Sequence, residues 1–179
     1  MTDQVLCALA ALFVRWQQEG ESRGSLPLCE FEAGWRSPCE LGDPHGGQVA
    51  WRPTERSKPE DFTPLEQALE LTLHPSIQAF YGHWFSRPLT LWFKGLRLCL
   101  IQPWNQQDLD LLKENLIGHL LMQRKLGRTP TLFLASCRDE MGIISLDNDS
   151  GEVLFERLDS NRRTVISPDL ASFLGRLIP

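Results

Sequence analysis

His119 stands inside a strongly helical stretch, ENLIGHLLMQRKLG at residues 114–127, directly after Gly118. An imidazole there can act as a general base or a metal ligand only with a partner. His45, His74 and His83 fall in other predicted elements, and no H-x-x-x-H, H-E-x-x-H or G-x-S-x-G pattern accompanies any of them. His119 also lies at the margin of the apolar stripe Leu109, Leu112, Leu116 and Leu120, a position that predicts a partly buried structural histidine. Gly118 projects from the side opposite that stripe. Either another element approaches the backbone there, or the helix simply tolerates a residue costing about 1 kcal/mol relative to alanine.

The carboxylates are more informative than the histidines. Glu66 and Glu70 stand four apart in one predicted helix, Asp110 and Glu114 four apart in another, and each pair projects from a common face. Like charges at that spacing repel by a few tenths of a kcal/mol. Lys113 can offset Asp110, and a protonated His74 can offset Glu70, whereas Glu66 has no Lys or Arg within four residues. Two readings remain open: an ordinary solvated surface, or an acidic groove whose focused potential speeds encounter with a basic partner. A glycosidase acid–base pair lacks any supporting substrate signature. The DNDSG run at 147–151 has residues found in calcium loops but no glutamate at the required distance, so a β-turn is expected. Arg124, Lys125 and Arg128 gather at a helix end, where cations complement the macrodipole rather than marking a nucleic-acid site.

The elements that position these residues follow from periodicity. Residues 3–19 place Val5, Leu6, Leu9, Leu12, Phe13 and Trp16 on one helical face, with an end expected before Gly20. Residues 20–58 are rich in glycine and proline, broken by one expected strand at 48–52. Thr63, Pro64 and Glu66 have the spacing of a capping box with proline at the first helical position, predicting a helix over 64–73. After Pro75, Ile77, Phe80, Tyr81, Trp84 and Phe85 recur at helical spacing. Leu89, Leu91 and Phe93, then Leu96, Leu98 and Leu100, switch to period two around Lys94-Gly95, the pattern of a hairpin with one buried face. Asn105 with Asp108 predicts a helix start, and Gly127 its end. Strands are expected in TPTLFLAS, MGIISLD and EVLFERL, and a last helix from Ser167-Pro168 to Leu177.

That order argues for an α+β fold with a mostly antiparallel sheet flanked by helices, and for one domain over residues 1–179. A net charge of −5, with 42% apolar and 23% charged residues, fits a soluble protein with no general attraction to DNA. Five widely spaced cysteines without a C-x-x-C pair suggest neither a disulfide framework nor a zinc site, and point to a reducing compartment. The apolar run at 5–14 follows Asp3 rather than a cation and is too short to span a bilayer.

Five stretches in order carry a resemblance: Ser37-Pro38-Cys39, HPSI with FYG over 74–82, ENLIGHL over 114–120, PTLFLA over 130–135 and SGEV over 150–153. Together they resemble the Syd family of SecY-interacting bacterial proteins along nearly the whole length, with residues 48–61 matching only loosely. The resemblance implies a SUKH-superfamily fold and a non-enzymatic cytoplasmic protein with no cofactor or metal. It implies peripheral association with the cytoplasmic face of the inner membrane, through an acidic concave surface that holds cytosolic loops of the SecY translocon channel. A role in monitoring SecY assembly belongs to the same implication. Such loops carry excess Lys and Arg, which an acidic surface complements. Glu66, Glu70, Asp108 and Glu114, from helix patterning, and Glu140 and Glu152, from their place in the matched strands, are the residues expected in the groove. A monomer is expected, and the alternative client is a toxin, as for SUKH-type immunity proteins.

Overall fold

The computed structural model describes residues 2–22, 24, 26–137, 141–157, 160 and 162–179. Helix α1 spans Thr2–Ser22 and precedes the short strands β1 (Leu28–Glu30), β2 (Glu40–His45), β3 (Gln48–Trp51) and β4 (Thr54–Glu55). Then come α2 (Thr63–Leu69), α3 (Pro75–Gly82) and β5 (Trp84–Phe85), followed by the hairpin β6 (Leu89–Phe93) and β7 (Leu96–Leu100). Helix α4 (Gln106–Lys125) leads to β8 (Thr131–Cys137), β9 (Gly142–Asp147), β10 (Val153–Arg157), β11 (Arg163–Ser167) and α5 (Leu170–Gly175).

The period-two hairpin closes as expected, because Lys94 and Gly95 both adopt positive φ, at 49° and 83°, and so match the twist of the strands they join. Leu89, Leu91 and Phe93 pair with Leu100, Leu98 and Leu96, so their side chains share one face. The hairpin extends into one antiparallel sheet of order β11-β10-β9-β8-β7-β6. Register fixes which helix covers which face. Leu100 pairs with Ala135 and Ala135 with Ile144, which keeps all three on the hairpin's apolar face. A bulge between Phe133 and Ala135 then sets Phe133 opposite Ser145, the neighbour of Ile144, on the other face. Phe173 of α5 packs on Phe93 at 5.0 Å between ring centroids, whereas His119 of α4 packs edge-on against Phe133 at 5.6 Å. The sheet therefore lies between α5 and α4, and β9 is buried on both faces.

Helix α1 buries Val5, Leu9, Leu12 and Phe13 and packs against α3 and α5. It runs through Gly20 to Ser22 rather than ending before the glycine; nothing lies within 4 Å of a Cβ placed there, so no contact forces a break. The smaller sheet β1-β3-β2 joins the body through tryptophans: Trp51 of β3 meets Trp16 of α1 at 5.0 Å and Trp104, just before α4, at 5.7 Å. At the free side of β6, Trp92 and Ile178 exchange both backbone hydrogen bonds, at 2.8 and 3.0 Å.

Two helix starts differ from expectation. Phe62, not Thr63, is the N-cap residue of α2, and its side chain makes no capping bond. Asp61 Oδ1 takes the Thr63 amide instead, at 2.9 Å, and the helix stops at Leu69, short of the expected Leu73, because Glu70 adopts a left-handed conformation. Likewise Asp169 caps α5 by accepting the Ser172 amide at 2.7 Å, so the helix starts two residues beyond Pro168.

The DNDSG turn fastens distant segments. Asp147 Oδ1 accepts the amides of Asp149 and Ser150 at 3.0 and 2.9 Å, as in an Asx turn. Asn148 accepts the His74 amide and donates to the Thr72 carbonyl, both at 2.9 Å. Gly151, at φ +76°, lies so close to the His74 ring that a Cβ would fall 2.6 Å from its Nε2. HPSI and SGEV thus form a single joint, with His74 also capping α3 through Nδ1, which accepts the Ser76 amide.

Candidate partner-binding face

Helix α4 is set by signals the sequence carries openly. Asn105 caps it by accepting the Asp108 amide at 2.8 Å, while Asp108 reaches back to accept the Trp104 amide at 2.7 Å. At the other end Gly127, at φ +64°, donates to Arg124 O and Arg128 donates to Gln123 O, closing a Schellman motif. Leu109, Leu112, Leu116, Leu120 and Gln123 are buried beneath it, leaving Asp110, Glu114, Gly118 and Leu121 exposed. No heavy atom lies within 4 Å of a Cβ built on Gly118. The glycine is tolerated on an open face rather than required by a neighbouring element.

Helix α2 lies along α4. Lys113 Nζ reaches Glu60 Oε1, just ahead of α2, at 2.6 Å, and Arg124 donates to the carbonyl of Leu69 at its end. Glu60 is also held by Arg56 at 2.8 Å. Lys113 binds Asp110 as well, at 2.9 Å, and this bond holds the Asp110 carboxyl below its ordinary range. Bonding to Thr63 chiefly holds exposed Asp61 low, with Lys113 adding attraction. Lys113 thus joins Asp110 of α4 to Glu60, Asp61 is the next residue after Glu60, and Glu114 follows Asp110 one turn on, exposed.

The six expected groove residues divide by role. Glu66 is half-buried, and its Oε1 accepts the Leu73 amide at 2.7 Å and Gln78 Nε2 at 3.1 Å. It therefore fastens the α2–α3 link and does not reach back to Thr63. Asp108 is the reciprocal cap just described. Glu114 is exposed on the α4 face. Glu70 is exposed too, but its left-handed conformation takes it off the helical register it was expected to share with Glu66. It lies beside Leu69 and so near Arg124, about 16 Å along α4 from Lys113 at 1.5 Å per residue. Glu152 is half-buried on the β9–β10 turn, within reach of Ser150 Oγ at 3.3 Å. Glu140 lies outside the described residues.

Asp61 was not among the expected residues; its signal was its place just before the α2 start, where a carboxylate meets free amides. His119 accepts from Gln123 Nε2 at 2.8 Å. Burial lowers its pKa, against an opposing pull from Glu156. Among the described residues no group of three or more His, Cys, Asp or Glu side chains is placed to hold a metal ion, and no helix is long and apolar enough to cross a membrane.

Fold and surface together describe an α+β protein built on one large antiparallel sheet with a charged helical face. The family described as Syd protein (SUKH-2) matches residues 6–179, and the chain belongs to it. It is 62% identical to the protein named Protein Syd of Aeromonas hydrophila subsp. hydrophila, over 99% of this chain and 97% of that one. Identity to the protein of the same name from Aeromonas salmonicida is 60% over the same shares. For the one from Tolumonas auensis it is 42%, over 100% of this chain and 92% of the relative.

Proposed function

We propose that this chain is a non-enzymatic, monomeric binding protein that holds basic cytosolic loops of the SecY channel against the α2–α4 face, at the cytoplasmic side of the inner membrane. The observation that carries the reading is the exposed carboxylate set Asp61, Asp110 and Glu114 on a rigid, doubly capped helix and its neighbour. Membership of the Syd family over nearly the full chain supports the choice of client. Cytosolic loops of membrane proteins are enriched in Lys and Arg, so charge complementarity steers them to this face. Glu70 extends the acidic surface along the seam, while Glu66 and Asp108 hold the two helices in shape. Glu152 belongs to a different segment, the β9–β10 turn.

The test is fluorescence anisotropy with a labelled basic loop peptide, and the double variant Asp110→Asn, Glu114→Gln as comparison. Each exposed charge pair is worth about 0.2–1 kcal/mol, so the double variant is expected to bind roughly two- to thirtyfold more weakly. Raising ionic strength toward 1 M shortens the screening length to about 3 Å and should abolish most of the affinity. A salt-independent affinity, or an unchanged one in the double variant, would refute the electrostatic face.

A further inference from the structure

A second charged feature has the opposite sign. Between the last turns of α4 and the far strands of the sheet lies a cavity of about 350 Å³, within the size range of small-ligand sites. One wall is apolar, formed by Met122, Leu126 and Ile143. Met122 and Leu126 are 56% and 54% exposed, an unusual expense for neighbouring apolar side chains on one helix. Arg162 and Arg163 line it too, with Arg128 and Arg157, and Glu156 is the one carboxylate among the described lining residues.

The floor is a closed polar network. Glu156 accepts from Thr131 Oγ1 and from Arg163 Nε, both at 2.7 Å. Gln123 accepts the Thr131 amide at 2.7 Å and lies 2.8 Å from His119 Nε2. Glu156 is thereby paired with Arg163, and each of its two oxygens accepts one hydrogen bond. What remains unmet are donors. Among the described residues, Arg163 Nη2 is buried without a hydrogen-bond partner, and the guanidinium of exposed Arg162 takes part in no ion pair. A buried unmatched donor beside an unpaired cation, in a cavity with low-dielectric walls, favours an anion.

We propose that this cavity is a binding site for a small organic anion, a carboxylate or phosphate monoester carried on a short apolar body. The anionic head meets Arg162 and Arg163, and the apolar body lies on Met122 and Leu126. The site is separate from the α2–α4 face, and its existence does not depend on how that face is used.

The full chain is titrated with hexanoate and hexyl phosphate, with hexanol and inorganic phosphate as controls lacking the head or the body, following the His119 imidazole and Met122 methyl resonances by NMR. Both hexyl anions are expected to shift these signals saturably and more tightly than either control. Arg162→Glu, at an exposed position, should keep the melting temperature and weaken both anions at least about tenfold, the loss expected for a charge-assisted hydrogen bond. Sedimentation with phosphatidylglycerol vesicles, lost in Arg162→Glu, would place the head on a lipid; binding of hexyl phosphate without sedimentation would place it on a soluble ligand. Failure of both anions to shift the signals, hexanol binding as tightly as hexanoate, or unchanged affinity in Arg162→Glu would each overturn the proposal.

Discussion

Replacing Glu66 separates a structural carboxylate from a binding one. Its Oε1 accepts two hydrogen bonds, from the amide of Leu73, a residue 1% exposed, and from Gln78 Nε2. In Glu66→Ala both donors lose a charged acceptor, and the Leu73 amide has no replacement inside the α2–α3 link. Hydrogen bonds to a charged group are worth about 1.5–3 kcal/mol, and leaving the donor unmet brings the total to roughly 2–4 kcal/mol. For a chain of this length 1 kcal/mol moves the midpoint by about 2–4 °C, so a fall of roughly 4–16 °C is expected. Glu66→Gln keeps a carbonyl oxygen at the same place and loses only the charge, about 1 kcal/mol. Circular dichroism melts of both variants beside Glu114→Gln, whose exposed carboxylate forms no salt bridge among the described residues, measure the order directly. If Glu66→Ala melts within a degree of the parent while basic-peptide binding collapses, Glu66 is a groove residue and the structural account is wrong.

Gly118→Ala should stabilise the protein by about 1 kcal/mol, read from urea midpoints, because the new methyl meets open space and gains helix propensity. Gly151→Ala should do the reverse, losing about 1–3 kcal/mol to the left-handed backbone alone and more to the His74 ring, with a lower melting temperature as readout. His74 and His119 are both pushed below their ordinary 6.5 by burial. The unfolded chain then binds protons that the folded chain refuses, so stability should fall as pH drops from 7.5 to 5.5 and level off once both folded values are passed. Asp61, Asp110 and Asp169 are held below 3.8, so their contribution is intact across that range and is lost only as pH falls through their lowered values. Urea denaturation at pH 7.5, 6.5 and 5.5 checks the sign, and a flat profile would contradict half-buried histidines that resist protonation.

What was legible in the sequence was what local chemistry decides. Asn105, Asp108 and Gly127 mark the ends of α4 because a cap or a left-handed residue acts on its own few neighbours. The hairpin was legible because β6 buries every second residue, so its alternation cannot hide. The strand β11 escaped notice because it is an edge strand with little buried surface and hence no alternation to read. β2 contains Gly42 and Pro44, loop residues by composition, which an edge position tolerates. Thr63 and Glu66 had the correct spacing for a capping box, yet tertiary partners at Leu73 and Gln78 claimed the carboxylate. Of the acidic face, Glu114 was legible from helical spacing. Asp61 needed the docking of α2 on α4 to acquire its neighbours, which no local pattern encodes. The family stretches were a better guide to the fold than to binding: His74, Gly151 and Tyr81, whose hydroxyl donates to Phe133 O at 2.7 Å, all fasten elements together.

The bridge between Trp92 and Ile178 bears on how this chain avoids its own kind. An edge strand offers a row of unpaired amides and carbonyls that invites another strand to add, and β6 is long enough and apolar enough to be a template. By occupying both backbone groups of Trp92, Ile178 breaks that row and sets a side chain across the approach. Two backbone hydrogen bonds outside the main ladder thus double as a guard against aggregation.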